Sequence, residues 1–573
     1  MKPTLRPLAA SLLAASLAAS LAACASRQPA PQPSHLVDVQ LVTLNDFHGN
    51  LEPSKYVVDS IQGGGARTIQ AGGIDTLGAA LQAWRKDDPQ LLLVGAGDLV
   101  GASPAISAMW ADEPTIEAMN LLGLRMSAVG NHEFDAGRVE LLRQQQGGCK
   151  SPRMDKACKY QPDYSGARFD YLAANVIDIK TRKPLLPAYK IETAHGVKIG
   201  FIGVVLKDTA EQALASGVAG LDFIDEADAI NRQLPELRKQ GVGVFVALVH
   251  QGGSTPEKFD QPDCSQLSGP VVDIVKRLDR DVQLVVSGHS HKGYLCKVDG
   301  RTVTQSDMGG HVLGRIKLTV DTRSNTLNAV SASQEVMVPG KWPANAELKT
   351  YLDNVRERSA ALLAQPVARL AVASVTRTRA DSGESALGDL VADSALAAGR
   401  PFGAQIGFMN NGGMRQDLNT AQGNRSNVGH IRMVLPFGNT MVVMNLKGWQ
   451  IIELLEQQWS GGREEIRGLL QVSDGFSYQW DARRGDGSKV VPGSVRLHGV
   501  PLERETSYRI ITNNFLAEGG DGFPMFANGR NRANTAISDI DALNDYLVKR
   551  EQSGKPAGAS QPQGRYQRIN EKE

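Results

Sequence analysis

The sequence has few cysteines, few aromatic residues and no excess of charge of either sign. Only five of its 573 residues are cysteine, and no two of them are spaced Cys-x-x-Cys, which disfavours a zinc site built on thiolates. Lysine and arginine total 62 against 61 acidic residues, a balance that argues against a protein that wraps a nucleic-acid polymer. Beyond the first 24 residues no apolar run is long enough to predict a membrane-spanning helix.

The first 24 residues resemble an export signal rather than part of the fold. Lys2 and Arg6 precede an apolar Ala/Leu run that ends in Leu-Ala-Ala-Cys at Cys24. This ending resembles the bacterial lipobox, which implies removal of residues 1–23 and lipidation of Cys24; an ordinary signal peptide with an incidental cysteine is the alternative. Residues 24–36, rich in proline and glutamine, are expected to form a tether. We therefore expect an exported chain that is lipid-anchored to the membrane of the bacterial cell envelope, in the periplasm or at the cell surface.

Four cysteines are left once Cys24 is assigned to the lipid. An even number in an exported chain indicates two disulfides. Four cysteines allow three pairings. We expect the local one, Cys149 with Cys158 and Cys264 with Cys296.

Short β-branched runs alternate with helical stretches over residues 37–340, which predicts a layered α/β domain. The clearest strands are near-continuously apolar, as in a sheet covered on both faces; they lie at 37–44, 91–95, 198–205, 242–249 and 282–287. Residues 341–366 predict a connecting helix, and residues 367–550 a second α/β domain. The polar residues 551–573 are expected to form a loose tail.

Polar side chains follow the strands of the first predicted domain, where ligands bind in open α/β sheets. They are Asp46 and His48, then Asp98, then Asn131, His132 and Asp135 in Gly-Asn-His-Glu-Phe-Asp, then His250, and finally His289 and His291 in Gly-His-Ser-His. Any one histidine alone is more often a hydrogen-bonded core or surface residue. Five strand ends that each deliver Asp, Asn or His predict a shared site at one rim.

Oxygen and imidazole ligands without thiolate suit zinc, manganese, iron or cobalt, and a carboxylate can bridge two such ions. Paired ions clamp the attacking and leaving oxygens of a phosphate ester and lower the pKa of a bound water. The pattern therefore predicts two divalent metal ions that act on a phosphate ester.

These motifs, in this order, resemble the calcineurin-like metallophosphoesterases, and residues 37–549 resemble the secreted bacterial 5′-nucleotidase family, which includes UDP-sugar hydrolases. The resemblance implies one metal ion held by Asp46, His48, Asp98 and His291, and another held by Asp98, Asn131, His250 and His289. It implies that His132 stabilises charge beside the phosphate and that Asp135 orients it. A capping network at a helix start is the alternative for that pair.

The second domain offers candidates for binding the nucleoside. Asn411 and Arg415 lie in or after a glycine-rich turn, and two phenylalanines lie in loops with glycines, where their rings could stack on a base. The resemblance implies base stacking by Phe437 and Phe515, a ribose contact by Asp521, a base contact by Asn439 and a substrate contact by Arg415. Arg377 and Arg379 are further candidates, although their spacing departs from the family pattern.

The resemblance implies an exported nucleotidase that uses metal-bound water to convert 5′-nucleotides to nucleoside and phosphate. A UDP-sugar pyrophosphatase, or a 2′,3′-cyclic-nucleotide phosphodiesterase with 3′-nucleotidase activity, is the alternative on the same scaffold. A surface nucleoside-binding lipoprotein with a decayed metal site is the non-enzyme alternative, against which the intact ligand set argues. We expect a monomer that binds a small-molecule nucleotide.

Overall fold

The computed structural model describes residues 35–569, except residues 62, 64, 421 and 461–468. The predicted signal segment, Cys24 and all but the last two residues of the predicted tether lie outside the described residues. No helix within the described part of the chain is both long and apolar enough to cross a membrane.

Two six-stranded sheets form the core of the N-terminal domain. Its strands are Leu36–Leu44 (β1), Pro53–Val58 (β2), Arg67–Gly72 (β3), Leu92–Ala96 (β4), Leu124–Ala128 (β5), Asp170–Leu172 (β6), Val176–Asp178 (β7), Lys183–Pro184 (β8), Tyr189–Ala194 (β9), Val197–Val205 (β10), Leu221–Phe223 (β11), Val244–His250 (β12), Val282–Ser287 (β13), Gly293–Val298 (β14), Arg301–Ser306 (β15), Val312–Asp321 (β16) and Thr326–Val336 (β17). The sheet orders are β17-β16-β1-β4-β5-β6 and β14-β15-β13-β12-β10-β9. Parallel pairing joins β1, β4, β5 and β6 in one sheet and β10, β12, β13 and β15 in the other.

Helices cover the outer faces of both sheets. They are Ile74–Asp87 (α1), Ala105–Ala108 (α2), Glu113–Leu122 (α3), Gly137–Gln146 (α4), Thr209–Gln212 (α5), Ala215–Val218 (α6), Glu226–Lys239 (α7) and Pro270–Lys276 (α8). Alternation along β1 shows the layering: Val39 and Leu41 enter the core between the sheets, whereas Val42 and Leu44 enter the core under the helices. The predicted layered sandwich is confirmed.

One helix, Ala346–Leu363 (α9), connects the two domains. It begins at Asn345, whose side chain accepts a hydrogen bond from the Leu348 N–H, a typical N-cap. Leu348, Leu352 and Val355 are buried in the core of the N-terminal domain. The connecting helix is therefore fixed to the first domain along its apolar face.

The C-terminal domain is built on a five-stranded sheet with a hydrophobic cluster on each face. Its strands are Pro366–Arg369 (β18), Ser374–Val375 (β19), Ile406–Met409 (β20), Leu418–Asn419 (β21), Arg425–Asn427 (β22), Thr440–Lys447 (β23), Gln471–Val472 (β24), Phe476–Asp481 (β25), Arg496–Leu497 (β26), Val500–Pro501 (β27), Ser507–Asn513 (β28), Arg530–Ser538 (β29) and Tyr566–Ile569 (β30). The order of the main sheet is β24-β20-β28-β23-β29. Its helices are Ala386–Gly399 (α10), Val428–Val434 (α11), Gly448–Glu456 (α12), Asn514–Ala517 (α13) and Asp539–Gln552 (α14).

The expectation of a loose tail after residue 550 is wrong for the part of the tail that the structure describes. Helix α14 continues to Gln552, and β30 pairs in parallel with β25. Tyr566 is buried and stacks on Tyr478 with ring centroids 5.0 Å apart, and the Arg565 guanidinium hydrogen-bonds both oxygens of Asp393. Long-range strand pairing, which the polar composition does not reveal, fixes this segment.

Candidate active site

The predicted metal ligands lie in tight turns at the strand ends. Asp46, His48, Asp98, His289 and His291 all have φ between 47° and 73°, in the left-handed region. Residues other than glycine rarely adopt this conformation, and such strain is concentrated at functional sites. The turns after β1, β4 and β13 thus hold these side chains at one rim of the sandwich.

A first cluster joins side chains from three strand ends. The potential ligand atoms of Asp46, His48, Asp98 and His291 all lie within 4.8 Å of one another. His48 Nε2 is 3.0 Å from His291 Nε2 and 3.6 Å from an Asp98 oxygen. These four residues are the set that the family resemblance implies for one metal ion.

A second cluster shares Asp98 with the first. Atoms of Asp98, His250 and His289 also lie within 4.8 Å of one another. The Asn131 amide oxygen is 3.1 Å from His250 Nε2 and 3.0 Å from His289 Nδ1. Asp98 is therefore common to both clusters, the position that the family resemblance implies for a bridging ligand.

The hydrogen bonds of the histidines test whether cations fit here. His48 Nδ1 lies 2.8 Å from the Gly101 carbonyl oxygen, and His250 Nδ1 lies 2.8 Å from that of Ala96. A carbonyl only accepts, so each Nδ1 donates, and each ring turns an Nε2 lone pair into the cluster once Nε2 is deprotonated. There the Nε2 lone pairs face other nitrogen and oxygen atoms that can also donate an electron pair. A divalent cation bound among these atoms would accept all of these lone pairs. The residues present fit two such ions.

Burial controls the protonation of the cluster. It lowers the pKa of His289 and of His291 to about 3, which keeps both rings neutral at neutral pH. Burial also raises the pKa of Asp46 to about 7. For His250, burial lowers the pKa, but Asp98, Asp46 and the Ala96 carbonyl together outweigh it and raise the pKa to about 9, so a bound cation displaces a proton there.

His132 and Asp135 form a pair beside the clusters. His132 Nδ1 lies 2.9 Å and 3.1 Å from the two Asp135 oxygens, and the His132 backbone N–H donates to Asp98 at 2.9 Å. The Asp135 and Asp98 charges outweigh burial and raise the pKa of His132. Asn131 makes no side-chain cap at the start of the short helix His132–Phe134, so the structure does not favour the capping alternative. The pair suits donation of a proton or hydrogen bond to a substrate oxygen.

One cavity of about 1190 Å³ lies between the two domains. Its walls include Asp98, Asn131, His132, Asp135, His289 and His291 from the first domain and Arg377, Asn411, Arg415, Phe437, Asn439, Phe515 and Asp521 from the second. The structure therefore brings the rim of the metal clusters and nearly all predicted substrate residues to a single space. Asp46, His48 and His250 are buried behind this wall.

Comparison with known families decides the relationship. The family model for the calcineurin-like phosphoesterases matches residues 40–293, and that for the 5′-nucleotidase C-terminal domain matches residues 366–528. The chain belongs to the 5′-nucleotidase family. Membership of these two domain families indicates a metal-dependent phosphoric ester hydrolase, which confirms the predicted fold, family and enzyme class.

Similar proteins span a range of described roles. The chain is 28% identical over 523 residues to the endonuclease YhcR of Bacillus subtilis, covering 91% of this chain and 40% of that protein. It is 29% identical over 557 residues to the cell wall protein Lmo0130 of Listeria monocytogenes, covering 92% of this chain and 69% of that protein. A crystal structure of a 5′-nucleotidase precursor from Thermus thermophilus matches with a TM-score of 0.72 at 28% identity, covering 94% of this chain and 100% of that one.

In this 5′-nucleotidase family member, the second-domain side of the cavity is held by its own hydrogen bonds. Asp521 has φ of 55° and accepts a hydrogen bond of 2.7 Å from the Asn410 amide, which in turn accepts one of 3.0 Å from Asn513. The Phe515 ring lies against Gly520, where a Cβ atom would come within 2.5 Å of it, so only glycine fits there. Among the described residues no ring contact joins Phe515 to Phe437.

The structure places two of the three arginine candidates at the cavity and the third away from it. Burial lowers the pKa of Arg415, although the charges of Asp135, Asp98 and Asp521 favour its charged form. Arg377 donates to the Arg415 carbonyl at 2.8 Å and leaves its buried Nε without a partner among the described residues. Arg379 is exposed and does not reach the cavity wall, so the structure does not bring this candidate to the site.

Both expected disulfides are present, Cys149 with Cys158 and Cys264 with Cys296. The shorter loop carries Arg153, a cavity residue that the sequence interpretation missed. Arg153 is fixed by hydrogen bonds of 3.1 Å to Asp112 and 2.8 Å to Glu140. A single arginine in a polar loop has no sequence feature that marks it as part of the site.

Glu133 is a second residue that the sequence interpretation missed. Its buried carboxylate accepts backbone hydrogen bonds from Gly130, Asp98 and Leu99 at 2.5 Å, 3.0 Å and 2.8 Å. Burial and the charge of Asp98 raise its pKa to about 7. Glu133 thereby fastens the strained turn that presents Asp98.

Replacing Glu133 with alanine is expected to lower the free energy of unfolding by about 3 kcal/mol, because each buried N–H left without a partner costs about 1–3 kcal/mol. Urea unfolding of the metal-free protein measures this loss. Glu117→Ala is the control, since Glu117 makes a surface ion pair with Arg168 worth about 0–1 kcal/mol. Equal losses in the two variants would contradict the structural role of Glu133.

Proposed function

We propose that this 5′-nucleotidase family member hydrolyses the phosphate ester of 5′-nucleotides to nucleoside and phosphate. The observation that carries the proposal is the cavity between the domains, which has the metal-ligand clusters on the side of the first domain and Phe437, Phe515 and Arg415 on the side of the second. A phosphate at the clusters and a base at the loops belong to one nucleotide.

Two divalent ions bound by the clusters would supply Lewis acidity and a water of lowered pKa; zinc, manganese, cobalt and iron all suit the donor set. The chain provides the rest of the phosphate site. Asp98 faces both clusters, and Arg415 and Arg377 offer positive charge to the phosphate oxygens. Bidentate guanidinium groups orient a phosphate and balance the charge that builds up during in-line attack.

Departure of the nucleoside needs a donor at its 5′-oxygen. His132 carries that proton or hydrogen bond at Nε2, because Asp135 occupies Nδ1. Asp135 also holds Nδ1 in place and favours the charged imidazole. The pair thus lowers the barrier to breaking the phosphorus–oxygen bond.

The second domain holds the nucleoside. Phe437 and Phe515 provide flat apolar surfaces for the base, and stacking contributes about 1–3 kcal/mol per base. Asp521, held by Asn410, accepts hydrogen bonds from ribose hydroxyls. Asn439 and Asn411 line the same cavity and offer amide groups to the base and phosphate.

Phosphate release by the metal-reconstituted protein tests the proposal. The substrates are AMP, 3′-AMP, 2′,3′-cyclic AMP, ATP and UDP-glucose, with product nucleotides followed for the last three and Asp98→Asn as the blank. Preferred turnover of AMP supports a 5′-nucleotidase. Preference for 3′-AMP and the cyclic ester, or for UDP-glucose, would replace it with one of the alternative phosphoesterases, and no turnover at all would favour a nucleoside-binding lipoprotein.

We also propose that the chain is exported and anchored by a lipid on Cys24. The lipobox-like sequence supports this, as do the disulfides and the similarity to a cell wall protein. Labelled palmitate should enter the full-length protein in a bacterial host and be absent from Cys24→Ser. Equal labelling of both would contradict the anchor.

A further inference from the structure

An aromatic contact crosses the cavity between the two domains. The Phe437 ring of the C-terminal domain stacks on the His132 imidazole of the N-terminal domain, with centroids 5.9 Å apart and planes inclined by 13°. This separation is within the favourable range for offset stacking. The side chain proposed to support the base therefore touches the side chain proposed to protonate the leaving group.

The other contacts of the His132 ring come from its own domain. Asp135 binds the ring at Nδ1. The His48 ring packs edge-on against the His132 ring, with centroids 5.0 Å apart and planes inclined by 77°. The hydrogen bond fixes one atom, and the edge contact limits motion on one side. Phe437 limits tilting of the ring plane, which neither of the other two contacts prevents.

Phe437 itself is held in place by its loop. Gly438 next to it has φ of +66°, and a Cβ atom there would lie 3.6 Å from Lys156 Nζ in the Cys149–Cys158 loop. The Asn439 carbonyl accepts a 2.8 Å hydrogen bond from the Asp539 N–H at the start of α14. The backbone on the C-terminal side of Phe437 is thus held by a hydrogen bond to the start of α14.

We propose that Phe437 is a positioning residue for His132, an inference that rests on the proposed function of the site. Stacking on the imidazole uses one face of the phenyl ring and leaves the opposite face for a nucleobase. A bound base presses Phe437 onto His132, so recognition of the base and orientation of the proton donor are coupled. Phosphate esters without a base are cleaved less well because this support is weaker.

Turnover of ribose 5-phosphate, which has no base, separates positioning from base binding. Phe437→Leu is expected to lower kcat for this substrate by about tenfold, since misorientation forfeits part of the roughly 10²–10⁴-fold contribution of a general acid. Phe515→Leu is the matched comparison, because it removes the phenyl ring of another cavity residue, which lies in helix α13 and does not stack on His132. The loss of kcat for ribose 5-phosphate in Phe515→Leu should be at least about fivefold smaller than in Phe437→Leu. Phe437→Tyr, which keeps an aromatic ring, should have most of the kcat of the unaltered protein.

A double-mutant cycle on AMP provides a second readout. In the His132→Ala background, Phe437→Leu should lower kcat for AMP by no more than Phe515→Leu does. With His132 present, Phe437→Leu should lower kcat for AMP by about tenfold more than Phe515→Leu does. Equal losses for the two phenylalanine variants with both substrates, together with additivity in the cycle, would overturn the positioning role. Failure of the proposed function would show differently, as an absence of AMP hydrolysis by the unaltered protein.

Discussion

Asp98→Asn is expected to lower phosphate release from AMP by at least about 10³-fold, because it removes the one charge shared by both clusters and with it several kcal/mol of transition-state stabilisation. The substitution keeps the size of the side chain and an oxygen that can accept from the His132 N–H. The metal content of the reconstituted protein should fall from two ions per chain to one or fewer. Elemental analysis and a phosphate assay measure the two effects.

Asp208→Asn is the control for this experiment. Asp208 lines the same cavity but belongs to neither ligand cluster, so its variant should keep both ions and most of the activity. Full metal content and full activity in Asp98→Asn would contradict the bridging role. Loss of one ion without loss of activity would show that the second cluster is not needed for hydrolysis.

His132→Ala is expected to lower kcat for AMP by about 10²–10⁴-fold while KM and the metal content stay nearly unchanged. The imidazole is not part of either metal cluster, and the backbone N–H that holds Asp98 survives the substitution. Asp135→Asn should lower kcat for AMP less than His132→Ala does, because the His132 ring is then misoriented rather than absent. Steady-state kinetics at saturating metal, with the metal content of each variant, separate these effects.

Loss of metal from His132→Ala would contradict the account of the pair, since it would place the imidazole among the ligands. A substrate with a better leaving group, p-nitrophenyl phosphate, gives a further check. Its leaving oxygen needs little protonation, so His132→Ala should slow its hydrolysis much less than that of AMP. Equal losses for both substrates would assign His132 to another step.

The position of the metal-ligand clusters could be predicted because each ligand lies close in sequence to the end of a strand. The strands β1, β4, β12 and β13 are mainly apolar runs, and a polar ligand such as Asp98 or His250 stands at the end of each or within two residues of it. Parallel pairing then brings the strand ends together, which the clusters around Asp98 confirm. The local disulfide pairing was one of three that the sequence allows, and the structure contains it.

Other features depended on contacts that spacing does not encode. Arg377 and Arg379 are two residues apart, yet only Arg377 reaches the cavity, since Arg379 lies where the backbone bridges to Ser385. Tyr566 is ordered by pairing with a strand almost 90 residues earlier. Glu133 stabilises a turn through backbone N–H groups from two loops. A sequence shows the residue in each case but not its partner.

The fold also explains how two domains can form one site. The connecting helix α9 packs on the first domain, and Ser216 at the edge of that domain donates hydrogen bonds to Glu518 of the second. Glu518 is three residues before Asp521. The contact thus holds the loop of the proposed ribose ligand against the domain that carries the metal clusters.

A crystal structure of the metal-loaded protein with a non-hydrolysable analogue, adenosine 5′-(α,β-methylene)diphosphate, tests the central claim most directly. The account predicts two ions bridged by Asp98, phosphonate and phosphate oxygens at the rim beside Arg415 and His132, and the adenine stacked on Phe437 and Phe515. An adenine bound away from both phenylalanines, or a phosphate group held without contact to the clusters, would contradict it.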